Sequence, residues 1–67
     1  MTKKTLEKLA AESPQAKAFL ENRSAVLRQT NRKDEVHGEI RGYLAALRTL
    51  GIIEDTEMRE LLVFYTL

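Results

Sequence analysis

The chain has no cysteine, no tryptophan, one proline, three glycines and one histidine in 67 residues. Each scarcity removes an option. Without cysteine there is no disulfide to staple a short chain, and His37 alone cannot complete a zinc site made of Cys and His within one chain. So few prolines and glycines leave few breaks, and the period-two alternation of a half-buried strand is absent. No apolar run approaches the ~20 residues that span a bilayer. The opening Thr2-Lys3-Lys4-Thr5-Leu6-Glu7 lacks the apolar stretch of a secretory signal. These absences point to a cytoplasmic protein with no membrane partner.

What is abundant is Ala, Leu, Glu, Lys and Arg, the residues that favour helix. The length allows one domain, residues 1–67. A chain this short buries only about 60% of its unfolded surface, and small domains commonly gain support from oligomerisation. The expectation is an all-α fold of three or four helices with a C-terminal αα-hairpin, its core completed by association into a homodimer or higher homo-oligomer.

The first helix is predicted over Thr2 to Glu12, with Leu6, Leu9 and Ala10 on a thin apolar side prone to fraying. Ser13-Pro14 reads as a start signal, with serine at the N-cap and proline at the first helical position. The second helix runs from Pro14 to Thr30, with Ala16, Phe19, Leu20, Val26 and Leu27 inward and Arg23 on the edge of that stripe. The residues Arg28 to Glu35 are all polar and contain no breaker, so one helix from Pro14 to Leu50 is the alternative reading. The apolar stripes on either side differ in phase by roughly 120° on a helical wheel, which favours a break near Asn31. Asn31 or Asp34 is then the next N-cap. The third helix runs from Lys33 to Leu50 and ends at Gly51, a left-handed cap. Ile52-Ile53 connects to a fourth helix, capped by Asp55 or Thr56 and reaching Tyr65.

The third helix has two faces. Val36, Ile40, Tyr43, Leu44, Leu47 and Leu50 form a core stripe. On the other side Gly38, Gly42 and Ala46 make a ridge of small residues at i, i+4 and i+8. Glycine inside an exposed helix costs ~0.8–1 kcal/mol relative to alanine, so two on one ridge suggest a closely packed neighbour. The fourth helix has its own core stripe, Met58, Leu61, Leu62 and Tyr65. Val63, Phe64 and Leu67 point elsewhere, which leaves its last turn apolar nearly all round. Either the first helix covers that turn or a second molecule does. Gly38, Gly42, Ala46, Val63, Phe64 and Leu67 are therefore the candidate protein interface.

The net charge of +1 hides an asymmetry. Residues 1–33 hold eight Lys and Arg against three Glu, and residues 34–67 hold three Arg against seven acids. Arg23, Arg28, Arg32 and Lys33 crowd the end of the second helix and the turn after it, beside Gln29, Thr30 and Asn31. Such a stretch can contact phosphates or an acidic partner. The helix after it is acidic at its start and heavily apolar, which argues against reading a major groove.

Catalysis finds no support. His37 lies on a polar flank without metal-ligand spacing, and neither Ser13 nor Ser24 sits in a nucleophile motif. Glu54, Asp55, Glu57 and Glu60 cluster at a helix start, where the dipole favours acids. No cofactor and no metal is called for.

The stretch Ile40-Arg41-Gly42-Tyr43-Leu44, with Ala46-Leu47, Leu50-Gly51-Ile52-Ile53, Arg59-Glu60-Leu61-Leu62 and Phe64-Tyr65-Thr66, resembles small helical proteins of unknown function from Gram-positive bacteria and their phages or mobile elements. The resemblance spans about residues 40–66. It implies a bacterial or phage origin and a cytoplasmic setting, and supplies no activity and no functional residues. The functional expectation is a non-enzymatic protein–protein interaction module that self-associates. The alternative is an accessory nucleic-acid-binding or regulatory protein that uses the basic half.

Overall fold

The computed structural model describes residues 2–67. Four helices account for most of them: α1 (Thr2–Glu12), α2 (Pro14–Gln29), α3 (Lys33–Thr49) and α4 (Asp55–Thr66). Among the described residues there is no strand. No helix is long and apolar enough to cross a membrane.

The breaks between helices are made by the backbone more than by side-chain caps. Proline disfavours helical geometry in the residue before it, and Ser13 takes φ −151°. Its N–H donates to the Leu9 carbonyl at 2.7 Å and its carbonyl accepts from Lys17 at 3.2 Å. One residue therefore ends α1 and starts α2, and the serine side chain makes no capping bond. At the far end of α2, Thr30 turns extended (ψ 153°) and its hydroxyl accepts from the Arg32 N–H at 3.0 Å. The expected break near Asn31 is present, and a continuous helix from Pro14 to Leu50 is excluded. The cap position of α3 is Arg32, not Asn31 or Asp34, and it has no side-chain capping bond.

Gly51 has φ +79°. The Gly51 N–H donates to Arg48 O at 2.9 Å and the Ile52 N–H to Leu47 O at 3.0 Å, the paired bonds of a Schellman ending. α4 starts from Glu54, one residue earlier than Asp55 and two before Thr56, because the Glu57 carboxylate accepts from the Glu54 N–H at 2.8 Å.

α2 and α3 run antiparallel, with Phe19 against Tyr43 and Arg23 against Glu39. α1 and α4 close the ring, α2 and α4 touch across it, and α1 and α3 stay apart. The core takes Leu9 from α1, Ala16, Leu20 and Leu27 from α2, Val36, Ile40, Leu44 and Leu47 from α3, Ile53 from the connector, and Leu61 and Tyr65 from α4. Every helix supplies a fully buried side chain: Leu9, Leu20, Ile40 and Leu44, and Leu61. The thin stripe of α1 is thus enough to hold it down. Three expected core positions fall differently. Leu50 follows the last turn of α3 and is 73% exposed, while Ile53 seals that end. Ala10 is exposed. Phe19 sits at the α2–α3 edge, stacked on Tyr43 with ring centroids 4.2 Å apart.

Polar contacts stitch α1 to α4. Lys8 Nζ lies 3.0 Å from Glu57 Oε1, and the Thr5 hydroxyl donates to Glu60 at 3.0 Å. The Glu54 N–H, and after it Lys8, holds the Glu57 carboxyl below the usual carboxylate range. Arg48, 2.7 Å from Asp55, lowers that carboxyl too. A carboxyl whose pKa is depressed by folding stabilises the fold above its unfolded value, roughly 4. That stabilisation is lost as pH falls through the lower folded value. The melting temperature should therefore drop as pH falls below about 4. Glu57→Gln should lower stability at neutral pH and shallow the acid limb of a circular-dichroism pH series. An unchanged acid limb would show that Glu57 is not coupled to folding.

Candidate functional site

The ridge of α3 faces outward. Gly42 and Ala46 are exposed and Gly38 is half-buried. A Cβ built on Gly38 or Gly42 meets nothing within 4 Å. No neighbour among the described residues accounts for either glycine.

The end of α4 is the second candidate. α1 runs along α4 but leaves Val63, Phe64 and Leu67 uncovered, at 58%, 46% and 86% exposure. They follow from the helix wheel: Leu61 and Tyr65 face the core, so Val63 and Leu67 face away and Phe64 lies at the edge. Phe64 packs edge-on against the Tyr65 ring, with centroids 5.1 Å apart. Phe64 and Leu67 also wall three surface hollows. One of about 370 Å³ is apolar, between Leu6 and Ala10 of α1 and Phe64, with Lys3 and Lys17 on its rim. One of about 440 Å³ lies between α2 and α4, bounded by Glu21, Ser24, Arg28, Phe64, Tyr65 and Leu67. The third, about 250 Å³, holds Leu67 together with Arg28, Lys33 and His37. The α3 ridge borders none of these three, so the candidate interface residues form two separate surfaces.

Two buried residues that carry hydroxyls, Ser24 and Tyr65, line the hollow between α2 and α4. Ser24 is buried and its Oγ accepts from Arg28 Nη2 at 3.3 Å. Tyr65 is 3% exposed and its hydroxyl has no hydrogen-bond partner among the described residues. Burial, and secondarily the charge of Glu21, pushes the Tyr65 phenol above its ordinary pKa, so it stays protonated. Neither residue stands out in the sequence as a site. The available cue is Ser24 itself, a hydroxyl inside the stripe Leu20–Ser24–Leu27, one helical turn from each apolar neighbour.

The basic group is largely engaged within the chain. Arg23 bridges to Glu39 of α3 at 3.2 Å, and Arg32 pairs with Glu35 at 3.7 Å. Lys33 Nζ donates to the Leu27 carbonyl at 2.7 Å, a cation at the negative end of α2. Arg28 contacts Ser24 and forms no ion pair among the described residues. The acidic group is likewise placed by structure, with Asp55 on Arg48, Glu57 on Lys8 and Glu60 on Thr5. Among the described residues no three His, Cys, Asp or Glu side chains gather where they could hold a metal ion. No protein-family model, no curated protein and no solved structure matches the chain.

Proposed function

We propose that this protein is a non-enzymatic protein–protein interaction module that associates with itself, as a homodimer or a higher homo-oligomer, in a bacterial or phage cytoplasm. One observation carries the reading. The chain closes a core from all four helices and still leaves Val63, Phe64 and Leu67 in water on one end of α4. Clustered apolar side chains on the surface of a small protein are the usual mark of a contact with another molecule. The open α3 ridge supports the reading as a place where a second backbone can approach. Nothing favours the basic half as a nucleic-acid surface over this, because Arg23, Arg32 and Lys33 already have partners and Asp34 and Glu35 stand beside them.

The ridge gives a test. Gly42→Ala should raise helix stability by up to ~1 kcal/mol at dilutions where the chain is single, since the added methyl meets nothing. Gly42→Leu is accommodated by the single chain for the same reason. Against a neighbouring molecule it overpacks by ~1–3 kcal/mol. Light scattering should show Gly42→Leu losing mass at concentrations where the parent is associated. A Gly42→Leu variant that keeps the parent mass takes the ridge out of the interface.

A further inference from the structure

α1 lies on a three-helix unit that closes without it. α2, α3 and α4 each touch the other two, while α1 touches only α2 and α4. Leu9 is the one side chain α1 gives to the apolar core, the fewest of any helix. The charges of α1 also run against its own dipole. Its first turn has no acid and its last turn no base. Lys3 and Lys4 stand at the start and Glu12 at the end, each at the end the dipole disfavours. α1 is therefore the element least able to stand alone and the first to open.

Its connection is as short as one can be. Ser13 alone separates α1 from α2. It holds φ −151° and ψ 75°, outside helical geometry, with Pro14 behind it. Short hinges of this kind invite exchange of an element between identical chains. The seat on α4 is specific for its occupant. Glu57 and Glu60, one turn apart, meet Lys8 and Thr5, one turn apart, each pair at 3.0 Å. The contacts advance along α1 as they recede along α4, so the two helices are antiparallel. Leu9 is fully buried and Thr5 is 4% exposed. The seat thus fits a helix carrying Thr, Lys and Leu at i, i+3 and i+4 with a positive charge facing two acids, which is the pattern of α1 itself.

We propose that α1 is an exchangeable strap, and that its seat between α2 and α4 takes α1 of a second copy of this chain when its own is displaced. A helix on a short tether meets its own seat at an effective concentration on the order of millimolar. Parent molecules at micromolar concentration therefore keep their own α1, and exchange belongs to crowded chains or to chains whose own strap fits badly. The inference goes beyond the proposed contact at the end of α4, which lies on residues that α1 leaves uncovered.

The test mixes two charge-reversed variants of the whole chain, Lys8→Glu and Glu57→Lys. Alone, each sets like charges against each other at the seat. In an exchanged pair of unlike chains both seats regain an opposite-charge pair. Native mass spectrometry at hundreds of micromolar, with one variant isotope-labelled, should show unlike pairs favoured over like pairs about tenfold, from two pairs restored and two repulsions relieved. The Leu9 amide should exchange its hydrogen quickly in each variant alone and regain protection in the mixture. Lys4→Glu mixed with Asp34→Lys carries the same net charges away from the seat and should show no such excess. Glu57→Lys also gives up the bond from the Glu54 N–H. A variant too loose to fold alone should still recover helix in the mixture, which circular dichroism reads. Three results would overturn the proposal: unlike pairs no more frequent than like ones, the same excess in the control mixture, or a Leu9 amide that stays unprotected on mixing. Each mixture is compared with its own variants alone, so the outcome does not depend on whether chains meet at the end of α4.

Discussion

At tens of micromolar, the double variant Val63→Glu, Leu67→Glu should scatter light as a single chain where the parent is associated. The side chains removed are 58% and 86% exposed, so they contribute little to the core of one molecule. In dilute samples, where neither protein is associated, unfolding should differ by no more than about 0.5 kcal/mol, the usual range for surface substitutions. In the associated form the same glutamates would be forced into an apolar contact. Burying an unpaired charge is far costlier than burying a neutral polar group, which already costs ~1–3 kcal/mol in proteins. A loss near 3 kcal/mol is more than a hundredfold in dissociation constant. Because the proposed contact is apolar, moderate salt should change association of the parent little, whereas a contact made of exposed charges would be screened over ~10 Å at 0.1 M. A double variant that keeps the parent mass would show that the end of α4 is not where molecules meet.

The second large effect is expected at Leu44. It is fully buried on the inner face of α3, in contact range of the shared core. Leu→Ala at such sites costs ~2.7–5 kcal/mol, part of it for the cavity left behind. A domain of this size holds only ~3–5 kcal/mol in its core. Leu44→Ala should therefore be largely unfolded in dilute solution at room temperature, or lose its cooperative transition. Leu50→Ala, on the same helix, removes the same atoms from a side chain that is 73% exposed. It should stay within about 0.5 kcal/mol of the parent. Urea unfolding of the two variants checks the inward face of α3 directly. Equal destabilisation by both would contradict the placement of Leu44 inside and Leu50 outside. Association adds apparent stability by mass action, so the comparison belongs at low concentration.

The contrast between Leu44 and Leu50 also shows what the sequence made legible. Period and punctuation pointed to three or four helices, a C-terminal hairpin turning at Gly51 and, as the preferred of two readings, a break near Asn31. Those features depend on local geometry: a proline that bars helix before it, a phase shift between stripes, a glycine at positive φ. Leu50 fits the wheel of α3 but lies past the last core layer, and a wheel has no length. The caps were less legible for a related reason. Ser13, Asn31, Asp34, Asp55 and Thr56 all have capping side chains, yet hydrogen bonds from the backbone and from Glu57 set where α2, α3 and α4 begin. Of the candidate site, the uncovered end of α4 could be anticipated from its all-round apolar pattern. The hollow lined by Ser24 and Tyr65 could not, because these residues lie 41 positions apart and share it only when α2 and α4 touch across the bundle.

The central claim is that a chain with a closed core still seeks a second molecule. Light scattering after size exclusion, run from sub-micromolar to hundreds of micromolar, tests it most directly. The mass should rise with concentration above the 7.7 kDa of one chain, with little response to moderate salt. A constant 7.7 kDa across the whole range, together with cooperative unfolding, would contradict it.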